Sequence, residues 1–148
     1  MSRVSGSIGV NGATVPVAIG LRPDDIERRR WSDPPVMVPD PARTEAIIDT
    51  GAEMTIITPE IALLLRFGRP IRTIRLSTVA GGTAAQPVHP VSISLGKPGV
   101  SIRPIVLSVV VARLATARHG CLIGRDLLGL IDFHWAGPSQ SWSIELAD

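Results

Sequence analysis

One carboxylate stands out by where it sits. The stretch Ala46-Ile47-Ile48-Asp49-Thr50-Gly51-Ala52 carries a short apolar run up to a single Asp and hands it to a tight turn. Asp is poor inside a strand and good at a turn. Gly51 frees the backbone to take a conformation that other residues resist. Thr50 adds a hydroxyl that can both donate and accept. The run therefore reads as a buried strand that delivers Asp49 to a fixed point at its end, where a carboxylate can take or give a proton. Taken alone, the tripeptide fits a strand closing in an Asx-type turn better than it fits a catalytic site.

A second stretch changes that balance: Cys121-Leu122-Ile123-Gly124-Arg125-Asp126-Leu127-Leu128-Gly129. Between the two lies an alternating segment from Pro70 to Leu95. An apolar pair before Asp-Thr-Gly-Ala, an alternating hairpin and an apolar-apolar-Gly-Arg-Asp-Leu-Leu segment occur here in that order over residues 46 to 129. Together they resemble the retropepsins, the single-domain aspartic proteases of retroviral type, and the chain looks like a bacterial relative of them. The resemblance implies an all-β fold: a closed or partly open β-barrel with a flap hairpin and one or two short helices. It also assigns roles. Asp49 is the catalytic carboxylate. Thr50, Gly51 and Ala52 form the active-site loop, with Thr50 bonding across a dimer. Val79, Ala80, Gly81, Gly82 and Thr83 at the flap tip contact substrate. Glu53, Ile123, Gly124 and Arg125 support the site, Arg125 pairing with the Glu53 side chain.

Peptide hydrolysis by carboxylates needs two of them facing one water, one ionised to activate it and one protonated to polarise the scissile carbonyl. Two carboxylates about 3 Å apart share one proton, as the aspartic proteases illustrate in general. This chain holds only one Asp-Thr-Gly. An aspartic protease built from it must then be a homodimer with its twofold axis near Asp49, acting on a peptide or protein substrate. The alternative is an inactive domain of the same fold that binds peptides or serves as a dimerisation module.

Other chemistries find no support. His89, His119 and His134 are far apart in sequence, and His119-Gly120-Cys121 is too sparse for a metal, so neither metal nor cofactor is expected. No Gly-x-Ser-x-Gly nucleophile turn occurs. Cys121 precedes a buried apolar pair and reads as core. The net charge of +2 is too small to argue for nucleic acid, and Arg28-Arg29-Arg30 reads as a solvated loop. No apolar run reaches the ~18 residues of a membrane span, and the N-terminus lacks a signal-like core. One cysteine excludes an intrachain disulfide and fits a reducing, cytoplasmic setting.

The 148 residues, 45% apolar and 19% charged, suit one domain with an aliphatic core, since aromatics are only 3%. Residues 4 to 21 read as a hairpin about Asn11-Gly12. Residues 22 to 42, with five prolines and the arginine run, read as a long surface loop with one helical turn near Asp24 to Arg30. A strand from Arg43 to Asp49 follows, then a returning strand Met54 to Ile57. Thr58-Pro59-Glu60 opens a helix as N-cap, first residue and helix-dipole acid. Its inner face carries Ile61, Leu64 and Leu65, and Gly68 closes it. Residues 70 to 95 form the flap hairpin, with Gly81-Gly82 at its tip. Val100 to Ala112 is an apolar strand, Leu122-Ile123 a short buried one, and Arg125 to Leu130 a short helix. Residues 131 to 148 form a closing hairpin, whose strand Ser141 to Leu146 is expected to pair across the dimer.

Overall fold

Alternation of aliphatic and polar residues builds a barrel. The computed structural model describes residues 2–77, 81–115 and 118–146. Its strands are β1 (Ser2–Ser7), β2 (Thr14–Leu21), β3 (Ala42–Ile48), β4 (Ile56–Ile57), β5 (Arg72–Ser77), β6 (Thr83–Leu95), β7 (Ile105–Val111), β8 (Cys121–Ile123), β9 (Asp132–Ala136) and β10 (Ser141–Leu146). Three short helices punctuate them: α1 (Pro23–Arg30), α2 (Pro59–Leu65) and α3 (Arg125–Leu128).

The large sheet runs β2-β3-β8-β4-β7-β6-β5, and a further pairing of β2 with β6 closes six of these strands into a ring. Only β5 lies outside the ring, as the outer arm of the β5–β6 hairpin. Inward positions of period two fill the interior: Val15, Val17 and Ile19 from β2, Ile93 and Leu95 from β6, Ile123 from β8. Leu65 from α2 and Leu127 from α3 plug the same core.

Two pairings in the ring are parallel. β8 runs alongside β3, with Ala46 opposite Cys121 and Ile48 opposite Ile123, and β4 runs alongside β7. β8 therefore lies between β3 and β4, so the residues that follow Ile48 and those that follow Ile123 emerge at the same end of the barrel.

A second, three-stranded sheet has the order β1-β10-β9. This overturns two expectations. A turn forms one residue earlier than read, with Val10-Asn11 at its centre, closed by mutual hydrogen bonds of 3.0 Å between Gly9 and Gly12, Gly12 at φ +78. Its arms nevertheless part, because both edges of β2 are taken by β3 and β6, and β1 pairs with β10 instead. The strand expected to pair across a dimer, Ser141 to Leu146, is the middle strand of its own sheet, and Trp142, Ile144 and Leu146 are buried in its own core.

Helix α2 starts as read: Thr58 caps it, accepting from the Ile61 N–H at 3.4 Å, and Pro59 follows. It closes at Arg66 in the left-handed region (φ 49), not at Gly68, and Leu64 faces outward, 61% exposed. Residues 22–42 hold a two-turn helix, α1, and then an extended segment reaching β3. Among the described residues no helix is long and apolar enough to cross a membrane.

Candidate active site

The end of β3 turns sharply under local control. The Asp49 N–H donates to the Ile123 carbonyl at 3.0 Å, the last rung of the β3–β8 ladder. The Gly51 N–H then donates to Asp49 Oδ1 at 2.8 Å, and the Ala52 N–H to the Asp49 carbonyl at 3.2 Å. This is an Asx turn, so the plain reading of the tripeptide holds. It leaves Asp49 half-exposed, with Oδ2 accepting no hydrogen bond from the described residues. A Cβ on Gly51 would come within 3.2 Å of Asp49 Oδ1, so the close approach favours glycine.

The Gly124-Arg125 segment supports the turn from beneath. The Arg125 N–H donates to the Ala52 carbonyl at 2.8 Å, and its guanidinium Nη1 to the Thr50 and Gly51 carbonyls at 3.2 and 3.3 Å. Those two carbonyls take the place of the expected acid. Glu53 is exposed and forms no ion pair with Arg125, which corrects the pairing read from the motif. Gly124 is buried against backbone: a Cβ there would lie 2.6 and 2.7 Å from the Met54 carbonyl carbon and oxygen. Ile123 is fully buried in the core and does not line an open surface.

Two residues that sequence reasoning passed over tie the site together. Asp126 accepts from the Thr55 N–H with both oxygens at 3.0 Å, from Thr55 Oγ1 at 2.7 Å and from the Leu127 N–H at 2.7 Å. Thr55 Oγ1 in turn accepts from the Gly124 N–H at 3.2 Å. The network joins the strand after the Asp49 turn to the start of α3. A polar residue between the apolar Met54 and Ile56 was the one signal for Thr55. For Asp126 it was the acid beside Gly124-Arg125.

The structure thus brings together Asp49, Thr50, Gly51, Ala52, Gly124 and Arg125. The flap positions divide. Val79 and Ala80 lie outside the described residues. Gly81 is exposed with φ +86, and Thr83 pairs with Ser77 in the β5–β6 ladder. No hydrogen bond joins Gly81 or Thr83 to the Asp49 turn.

Cys121 is buried beside this network. Burial first, and the Asp126 charge second, push its thiol up to about 12, which leaves it un-ionised. Among the described residues no three His, Cys, Asp or Glu side chains gather as a metal site.

An Asp-Thr-Gly turn clamped by Gly-Arg-Asp inside a six-stranded barrel defines a class. Residues 36–130 match the family described as "gag-polyprotein putative aspartyl protease", and the chain belongs to that family of retropepsin-like aspartic proteases. Among solved structures it is similar to the EIAV protease complexed with the inhibitor HBY-793: 19% identity over 79% of this chain and 85% of that one, with a TM-score of 0.40. It is also similar to the retroviral protease-like domain of Ddi1 from Leishmania major: 15% identity over 92% of this chain and 95% of that one, with a TM-score of 0.47. No curated protein matches the chain.

Proposed function

We propose that the protein is an aspartic endopeptidase that works as a homodimer, each chain contributing Asp49. The observation that carries this reading is the Asp49 carboxylate itself, pinned through Oδ1 and, among the described residues, unengaged at Oδ2. One carboxylate cannot both activate a water and polarise the scissile carbonyl. The nearest acid in sequence to the supporting motif, Asp126, spends both oxygens on Thr55 and Leu127. A second Asp49 across a twofold axis completes the pair.

In the dimer the two carboxylates share one proton. The ionised one takes a proton from the water as it attacks the peptide carbonyl. The protonated one donates to the carbonyl oxygen as the tetrahedral intermediate forms. The Gly51 N–H keeps each carboxylate oriented, and the Arg125 clamp keeps each turn in place. The substrate lies extended, hydrogen-bonded as an added strand under the β5–β6 hairpin. Activity peaks at mildly acidic pH, where the pair holds a single proton.

The test is cleavage of a diverse peptide library from pH 4 to 7, read by mass spectrometry, with Asp49→Ala run beside the native chain. Cuts should fall by roughly 10²–10⁴-fold or more in the variant. Equal cutting by both chains rules the reading out. A dimer that cuts nothing is the outcome expected of a peptide-binding domain.

A further inference from the structure

Far from Asp49 the barrel carries a different kind of surface. β2 and β3 are antiparallel, with Thr14 opposite Ile47 and Ile19 opposite Ala42. Asp49 follows the Ile48 end of β3, while Leu21 and Arg22 lie beyond the Ala42 end. Seven residues of strand separate the two ends by roughly 20 Å. A cavity of about 340 Å³ opens there, between α1 and the base of the β5–β6 hairpin.

Four arginines line it, Arg22, Arg28, Arg29 and Arg69, against one carboxylate, Asp25. Arg22 Nε and Arg28 Nη1 hold the two oxygens of Asp25 at 3.1 and 3.0 Å. Arg29 is fixed by the Met37 and Arg66 carbonyls, at 3.2 and 2.5 Å. Those carbonyls neutralise no charge. Arg69 forms no ion pair with any described residue. Three positive charges therefore remain uncompensated around a concave surface, which concentrates the potential within it. The opposite wall is apolar: Leu21, Ile71 and Pro90, with the Phe67 ring stacked on His89 at 4.2 Å and 8°. Burial lowers the His89 pKa, so at neutral pH that ring adds surface and not charge.

Guanidinium forks approaching from two elements suit an anion with oxygens facing several ways, as a phosphate has. The cavity is larger than a phosphate, and its remaining wall is apolar. We propose that it binds a small phosphorylated molecule, its phosphate between Arg28 and Arg69 and its apolar body against Leu21, Phe67 and Ile71. The site is independent of the proposed hydrolysis, and a bound phosphate would tie α1 to the base of the hairpin.

Thermal unfolding of the full chain, titrated with phenyl phosphate or inorganic phosphate at constant ionic strength, tests this. Phenyl phosphate should raise Tm saturably and more than inorganic phosphate does. Arg28→Gln with Arg69→Gln should weaken binding about tenfold or more. A charge-matched control, Arg43→Gln with Arg75→Gln, removes two exposed arginines elsewhere and should bind as the native chain does. If the double variant fails to fold, calorimetric titration of Arg69→Gln alone decides. No saturable shift, full binding by the arginine variants, or equal loss in the control overturns the site. Inorganic phosphate matching phenyl phosphate overturns the apolar wall's part in it.

Discussion

Asp49 holds its turn through one carboxylate oxygen and leaves the other without a hydrogen bond from the described residues. That division is why the plain and the functional readings of Asp-Thr-Gly are compatible: the turn is the device that presents the carboxylate. At this scale the stability of the site rests on residues behind the turn. Asp126→Ala strips the acceptor from the Thr55 N–H, the Thr55 hydroxyl and the Leu127 N–H. Donors left without partners at partly buried positions cost about 1–3 kcal/mol each. We expect a loss of roughly 2 kcal/mol or more in urea unfolding, with Thr55→Val losing less because its N–H remains bonded. The turn formed by Asp49, Thr50 and Gly51 was legible in the sequence, since their types and spacing carry a backbone logic. The sequence hid the Thr55–Asp126 bond because the partners lie 71 positions apart and neither type is unusual where it stands. The Glu53 pairing, taken from the family resemblance, failed because the motif says nothing about which backbone carbonyls compete for the guanidinium of Arg125.

Elements were read well where local chemistry fixes them and less well where they compete for edges. Helix α2 announced its start through Thr58 and Pro59. Its end at Arg66 was invisible, because a left-handed arginine has no sequence signature. The Asn11-Gly12 hairpin misled because a turn signal says that the chain reverses, not which strand it will lie against. The β1–β10 pairing leaves a mark that substitution can test. A Cβ on Gly6 would lie 2.6 Å from Trp142 Cζ2 and 2.8 Å from Cε2, under an indole that is almost wholly buried. Gly6→Ala should destabilise the chain by roughly 1–3 kcal/mol through overpacking. Ser5→Ala, at an exposed neighbour, should stay within about 0.5 kcal/mol. On β6, burial holds the His89 pKa below its ordinary 6.5. Below that pH the unfolded chain takes up a proton that the folded ring refuses, so this contribution to stability is full above about 6.5 and is lost as pH falls through the lowered folded value. Comparing His89→Phe with the native chain between pH 5 and 8 should show the native chain losing stability relative to the variant on the acidic side.

The whole molecule follows from closing six strands on a core whose aliphatic character composition foretold, while the barrel itself was implied by the family resemblance. What they could not give is the parallel placement of β8 against β3, the step that carries Gly124-Arg125 under the Asp49 turn. Such placement depends on long-range pairing, and no local propensity encodes it. The proposed dimer makes a prediction at this scale. Activity per chain should fall on dilution as protomers separate, in step with the dimer fraction measured by sedimentation. A stable monomer with undiminished activity contradicts it. Since β10 is covered on both edges, the outer edges of its three-stranded sheet belong to β1 and β9.

The β1–β10 pairing also sets the order in which the protein can come into being. Ser2 lies opposite Leu146, so the first strand waits for a partner almost the whole length of the chain away. During synthesis Val4 lacks its cross-strand partner until Ile144 has left the ribosome. The barrel strands can gather earlier, but the nascent chain cannot seal its core before β10 has emerged. That late closure, with its long loop to be drawn shut, makes slow folding and exposure to chaperones and proteases a property of the topology itself.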